Sequence, residues 1–157
     1  MKGINSQPLD GSGLRIAIVA SRWNDFVGEK ILDGARKALL TSGVLESDIK
    51  TVHVPGAFEL PLAAKRLAAS GNFDAVVTLG TVIRGDTPHF DFVAGAAAHG
   101  VMAASLETGV PIAFGVITAD NDRQALDRAG GPAGNKGTEA AEAAIEMALA
   151  LIDIGGD

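Results

Sequence analysis

Ala75-Val76-Val77-Thr78-Leu79-Gly80-Thr81-Val82-Ile83, running into Arg84-Gly85-Asp86-Thr87-Pro88-His89, is the stretch that decides the fold. The first part carries no charge and reads as a strand buried on both faces, as in a parallel sheet between helices. Phe90-Asp91-Phe92-Val93-Ala94 then opens a helix. At the junction Gly85 lets the backbone come close to a ligand, and Asp86 or Thr87 can cap the helix. Pro88 suits the first helical position, where its missing N–H needs no partner. Free amides at such a start attract anions, phosphate above all. His89 brings to the same place the side chain best suited to move protons near neutral pH. An anion cradle beside a proton-transfer group points to chemistry on a phosphorylated small molecule.

On either side of this segment, strands and helices alternate. Leu14 to Ala20 reads as an apolar strand interrupted only by Arg15. Asp25 to Ser42 has helical spacing, with Phe26, Ile31, Leu32, Ala35, Leu39 and Leu40 as core candidates and Gly43 as a stop. Ile49 to Val54 is a second strand ended by Pro55-Gly56, and Phe58 to Ser70 a helix with Pro61 near its start. The third strand spans 74–83 and the helix after it runs from about 88 to 107. Val110 to Ile117 is a fourth strand, Asn121 to Ala129 a short helix, and 130–135 a glycine-rich break. Gly137 to Ile152 is the last helix, with Ala144, Ile145, Ala148, Leu149 and Ile152 on its apolar face. This order predicts an α/β fold: a three-layer α/β/α, flavodoxin-like sandwich on a four-stranded parallel sheet, with ligands at the carboxyl ends of the strands. Residues 1–13 read as a flexible amino-terminal arm and 14–157 as a single domain, since no linker or repeat interrupts them.

Composition narrows the function. Apolar residues make up 47% of the 157 but aromatics only 4%, so small aliphatic side chains build the interior and buried subunit contacts are expected. A formal net charge of −6 argues against a nucleic-acid partner. Without cysteine there are no disulfides and no thiolate metal sites. No signal peptide and no run of transmembrane length is evident, so a soluble cytoplasmic protein without a membrane partner is expected.

Under this fold the segments after the four strands converge on one sheet edge: 21–24, 55–59, 84–89 and 118–121. Trp23, the single tryptophan, reads there either as an apolar plug before the first helix or as a flat ring for stacking on an aromatic ligand. Glu59 either complements the positive end of a helix or accepts hydrogen bonds from a ligand. Among the histidines, His53 reads as packed within a strand and His99 as a core or interface group. His89 alone occupies a strand-to-helix junction, where general acid–base catalysis is its role. Arg128 and Lys136 flank the glycine-rich break; each complements a helix end or contacts phosphate, the latter only from a neighbouring subunit. Phe114, in mid-strand, reads as core. No dinucleotide fingerprint, Walker A lysine or nucleophile elbow is present, and the spacing of His, Asp and Glu suggests no metal site.

Three blocks in order, Val54-Pro55-Gly56-Ala57-Phe58-Glu59-Leu60-Pro61, Gly80 to Asp91, and Ala129-Gly130 with Gly134-Asn135-Lys136-Gly137, resemble the lumazine synthase family. The likeness covers nearly the whole chain. It implies a condensation of 5-amino-6-(D-ribitylamino)uracil with 3,4-dihydroxy-2-butanone 4-phosphate, without cofactor or metal. It also implies roles: Trp23 stacking on the pyrimidine; Ala57, Phe58 and Glu59 holding the ribityl chain; Thr81, Val82 and Ile83 at the pyrimidine edge; Asp86 and Thr87 cradling phosphate; His89 shuttling protons. Phe114 and Arg128 would come from the adjacent subunit of a homopentamer, with Lys136 assisting. Thr138, where the family often has an aromatic residue, and Asn121-Asp122-Arg123 depart from the common pattern outside these contacts. Pro8 disfavours pairing of the arm with a neighbouring sheet, which points to a pentamer or decamer rather than a sixty-subunit shell. A catalytically weak flavin- or lumazine-binding paralogue is the alternative, and a flavodoxin-like electron carrier fits the 84–89 loop less well.

Overall fold

The computed structural model of the protein describes residues 8–155. Its elements are β1 (Ile16–Ser21), α1 (Asp25–Thr41), β2 (Ile49–Val54), a 3₁₀ turn (Ala57–Glu59) leading into α2 (Leu60–Ala69), β3 (Ala75–Ile83), α3 (His89–Thr108), β4 (Ile112–Ala119), α4 (Asp122–Asp127), β5 (Ala129–Gly131), β6 (Gly134–Asn135) and α5 (Lys136–Gly155). β2, β1, β3 and β4 form, in that order, one wholly parallel sheet. The chain steps outward from β1 to β2, then returns to the other side of β1 for β3. The order therefore reverses between β1 and β3, and this switch point is where open α/β sheets leave a crevice for ligands.

Alternation along the two central strands builds the layers. Ile16, Ile18 and Ala20 of β1 and Ala75, Val77 and Leu79 of β3 pack with α1, α4 and α5. Ala17 and Val19, with Val76 and Val82, pack with α2 and α3 on the opposite face. Both faces are covered, so the strands read as continuous apolar runs. Burying side chains such as Ile16, Ile18, Ile31, Leu60 and Ile145 contributes roughly 1.5–3 kcal/mol each.

Several expectations shift. The buried stripe of α1 is Val27, Ile31, Gly34, Ala35, Ala38 and Leu39, which turns Phe26 and Leu40 outward. In α5, Ala144, Ile145 and Ala148 are buried as expected, but Ile152 is exposed because the last turns find no cover among the described residues. The glycine-rich break is a small antiparallel hairpin, β5 with β6, and β4 begins two residues later than its apolar run. His53 is exposed rather than packed, since β2 is an edge strand and pairs on one side only. His99 is exposed on α3, not in the core. Of the expected arm, residues 1–7 lie outside the described residues. Residues 8–13 are docked: Leu9 packs on the core, and buried Gly11 donates its N–H to Ser42 O at 2.6 Å. Hydrogen bonds from the Ser12 hydroxyl, and next from its backbone N–H, hold the Asp10 carboxyl below its ordinary pKa.

Candidate active site at the sheet's carboxyl edge

The loops after β1, β2, β3 and β4 are tied together by specific contacts. Arg22 N–H donates to Val54 O at 2.9 Å and Trp23 N–H to Pro55 O at 3.0 Å, joining the β1 and β2 loops. Asn24, the one non-glycine residue with positive φ among those described (φ 60°), turns the chain sharply into α1. In that pose its Nδ2 donates to Thr81 O at 3.1 Å, which links the β1 loop to β3. Within the 21–24 segment the sequence assigns Asn24 no role of its own; an Asn between a strand and a helix start is the available signal, because Asn tolerates this backbone region.

Trp23 is 65% exposed, which rules out the plug reading. Its ring lies over Gly56, where an added Cβ would stand 2.5 Å from Cε3. Beside it, Gly56 N–H donates to Glu59 Oε2 at 2.9 Å, so the Glu59 carboxylate closes the loop that leads into α2. That bond gives Glu59 a structural duty in addition to any contact with a ligand. Ala57 is buried, whereas Phe58 projects outward, 60% exposed. Gly80 sits close against Ser21 and Leu60, its hypothetical Cβ 3.0 Å from Ser21 Oγ.

Thr81 and Val82 are buried, and Ile83 half-buried, at the end of β3. Thr81 Oγ1 has no hydrogen-bond partner among the described residues. An unpaired buried hydroxyl costs about 1–3 kcal/mol, a cost that a bound group offering a donor or acceptor removes. Gly85, Asp86, Thr87, Pro88 and His89 are all exposed. Pro88 stands one position earlier than expected, as the residue flanking α3, and the helix begins at His89. Neither Asp86 nor Thr87 caps the helix in the usual way. Thr87 Oγ1 accepts from His89 N–H at 3.4 Å, a long bond that leaves the helix start accessible.

Arg84 governs the charge here. Its guanidinium lies 4.2 Å above the Phe90 ring. Nε donates to Asp120 Oδ1 at 3.1 Å and Nη1 approaches Asp91 Oδ1 at 3.5 Å. Asp91 and Asp120 both engage this arginine and Asp86 follows in the same loop, so the loop is short of free positive charge.

Phe114 and Lys136 do not join this cluster, and Arg128 bonds to α4 rather than directly to it. Phe114 pairs with Thr78, whereas Ile117 pairs with Thr81. It therefore lies about 10 Å back along the sheet from Thr81 at roughly 3.3 Å per residue. It is 41% exposed on the edge strand β4, not core. Phe114 and Lys136 line a separate groove of about 880 Å³ with Pro8 and Leu9. Lys136 Nζ is paired with Glu139 Oε2 at 2.6 Å. Arg128, half-buried after α4, donates from Nη1 to Gln124 O at 3.0 Å. Asn135, which sequence reasoning left without a role, anchors α5: Oδ1 accepts from Gly137 and Thr138 N–H, and Nδ2 donates to Lys30 O of α1.

Fold and site together define a doubly covered parallel α/β protein. The carboxyl edge of its sheet carries an accessible helix start, an exposed histidine and two exposed aromatic rings. A family model described as 6,7-dimethyl-8-ribityllumazine synthase matches residues 13–151. The chain belongs to that family, whose members are transferases of riboflavin biosynthesis. No helix among the described residues is long and apolar enough to cross a membrane.

Proposed function

We propose that this chain condenses 5-amino-6-(D-ribitylamino)uracil with 3,4-dihydroxy-2-butanone 4-phosphate to 6,7-dimethyl-8-ribityllumazine, releasing phosphate and water. The observation that carries the reading is the accessible β3–α3 junction, where His89 and the Asp86-Thr87 loop face solvent beside exposed Trp23 and Phe58. The primary amine of the uracil attacks the ketone carbonyl, and water leaves to give an imine. A proton is taken from C3 as phosphate departs from C4 with its bonding electrons. The resulting enol tautomerises so that C3 becomes a carbonyl and C4 a methyl group, and the ribitylamino nitrogen attacks that carbonyl to close the ring. Loss of a second water from the carbinolamine completes the lumazine.

Trp23 stacks on the pyrimidine. Thr81, through its unpaired hydroxyl, and the backbone of Val82 and Ile83 meet its edge, while Ala57, Phe58 and Glu59 hold the ribityl chain. The phosphate rests on Asp86-Thr87 and the first amides of α3, favoured by the positive end of a 20-residue helix. Asp86 contributes through its backbone there, because a second negative charge repels phosphate. The cation that the cradle lacks comes from Arg128 of an adjacent subunit, with Phe114 completing the pyrimidine pocket and Lys136 assisting. A site divided in this way needs neighbouring subunits; we read the active form as a homopentamer, as the family resemblance implies, and assign it to the cytoplasm.

Each step needs orientation and proton transfer. Holding both reactants in register supplies most of the acceleration, and His89 adds general acid–base assistance. Mixing both substrates with the purified protein and following lumazine absorbance tests this. Absence of acceleration over the spontaneous reaction, with tight riboflavin binding, would instead identify a binding paralogue. His89→Ala is expected to lower kcat by about 10²-fold while leaving turnover measurable. Complete loss of turnover with substrate binding intact would show that proton transfer, not positioning, dominates.

A further inference from the structure

Arg84 is joined to Arg128 by a continuous chain of polar contacts. From Arg84 Nε the path runs 3.1 Å to Asp120 Oδ1. The backbone N–H of the same Asp120 donates to Gln124 Oε1 at 2.8 Å. The backbone oxygen of Gln124 accepts from Arg128 Nη1 at 3.0 Å. At the other end, Arg84 meets Asp91 in the first turn of α3, lies over Phe90, and bonds through its backbone N–H to Ala119 O at 2.8 Å. Asn121 Oδ1 accepts from Gln124 N–H at 2.9 Å, which fixes the start of α4. Thus the helix start that forms the cradle and the side chain that leaves α4 as Arg128 are held by one connected set of groups.

We infer that Arg84, Asp120 and Gln124 are positioning residues that set the direction of Arg128, and so connect the anion cradle of one site to the phosphate contact of the next. The inference rests on the proposed function, in which Arg128 serves the neighbouring site. The ion pairs of Arg84 are more than a third exposed, and contribute little to stability. Their effect is orientation. Arginine is required because its planar fork holds two carboxylates and stacks on Phe90 together, which a lysine ammonium cannot do. Phosphate bound at the cradle shifts Asp91 and the α3 start, and the shift passes through Arg84 to Asp120 and α4. Occupancy of one site thereby tunes the Arg128 offered to its neighbour.

Steady-state kinetics on the assembled enzyme tests the chain of contacts, with inorganic phosphate as the probe of the anion site. Arg84→Lys and Asp120→Ala are expected each to raise the KM for butanone phosphate and the inhibition constant of phosphate about 3- to 10-fold, as for one lost oriented contact. The KM for the ribitylaminouracil should stay within about twofold. In an Arg128→Ala background, Asp120→Ala should change phosphate inhibition no further, because its effect acts through that arginine. Additive losses, or equal shifts in both KM values, would overturn the inference. If Asp120→Ala does not fold, Asp120→Asn and Gln124→Ala provide the same comparison. Wild-type turnover is the reference: its absence refutes the proposed function, whereas normal turnover with additive variants refutes the positioning chain alone.

Discussion

At the residue scale, glycine and tryptophan at the switch point depend on one another. Gly56 has an extended backbone (φ −136°) that any residue can adopt, so its identity is not a matter of backbone freedom. The constraint is space: a Cβ would stand 2.5 and 2.7 Å from two atoms of the Trp23 ring and 3.3 Å from Glu59 Oε2. Gly56→Ala therefore displaces an exposed ring rather than core atoms, and stability should change little. Under the proposed function, the Trp23 face offered to the pyrimidine tilts instead. The KM for the ribitylaminouracil should rise roughly tenfold, the equivalent of about 1.4 kcal/mol of lost contact. Because Trp23 is the sole tryptophan, its fluorescence reports the change directly. Unaltered emission and unaltered quenching by the pyrimidine would show that the ring is not held by Gly56.

At the scale of elements, α1 and α5 pack so closely that a Cβ on Gly137 would fall within bonding distance of Ile31 O. Asn135 makes this approach possible by capping α5 and reaching across to Lys30 O in a single side chain. Asn135→Ala should cost about 1–2 kcal/mol, the usual range for a lost cap. This would be read as a lower urea midpoint at fixed protein concentration. Asn135→Asp keeps the acceptor and loses only the donor to Lys30, so it should recover about half of that loss. Equal losses in the two variants would place the whole effect on the inter-helix bond. Elements such as these differ in how far the sequence discloses them. The central strands were legible because burial on both faces leaves an uninterrupted apolar run, and β2 was read to its ends. What periodicity does not carry is a strand's place within the sheet. Phe114 and His53 looked packed, yet β4 and β2 are edges, and only the topology makes them so. The β5–β6 hairpin is too short to show any period. The loops of the site were legible as a convergence at the switch point. The contacts from Arg84 to Arg128 were not, since side chains distant in sequence meet only once β3 and β4 are in register.

For the whole molecule, the decisive fact is that Phe114 lies about 10 Å along the sheet from Thr81, so the described chain does not unite the residues of the proposed site. Apolar surface is exposed accordingly: Phe92, Met102 and Leu106 on α3 stand 74%, 61% and 76% open, more than a stable monomer usually presents along one helix. If, as proposed, an assembly covers such surface and unites half-sites from two subunits, defective chains should complement one another. Under the proposed function His89→Ala removes the proton shuttle beside the cradle and Arg128→Ala the donated cation, so each variant alone should be slow. When the two are unfolded together and reassembled in equal amounts, about one quarter of the interfaces in a random ring should pair an intact cradle with an intact Arg128. Activity should then rise toward that fraction of wild type, while a mixture of separately assembled variants stays at the sum of the two residual rates. Light scattering verifies that both preparations have the same mass. Recovery in the co-assembled sample can come only from sites built by two chains. No recovery, with mass restored, would confine the site to one subunit and remove the reason for a ring.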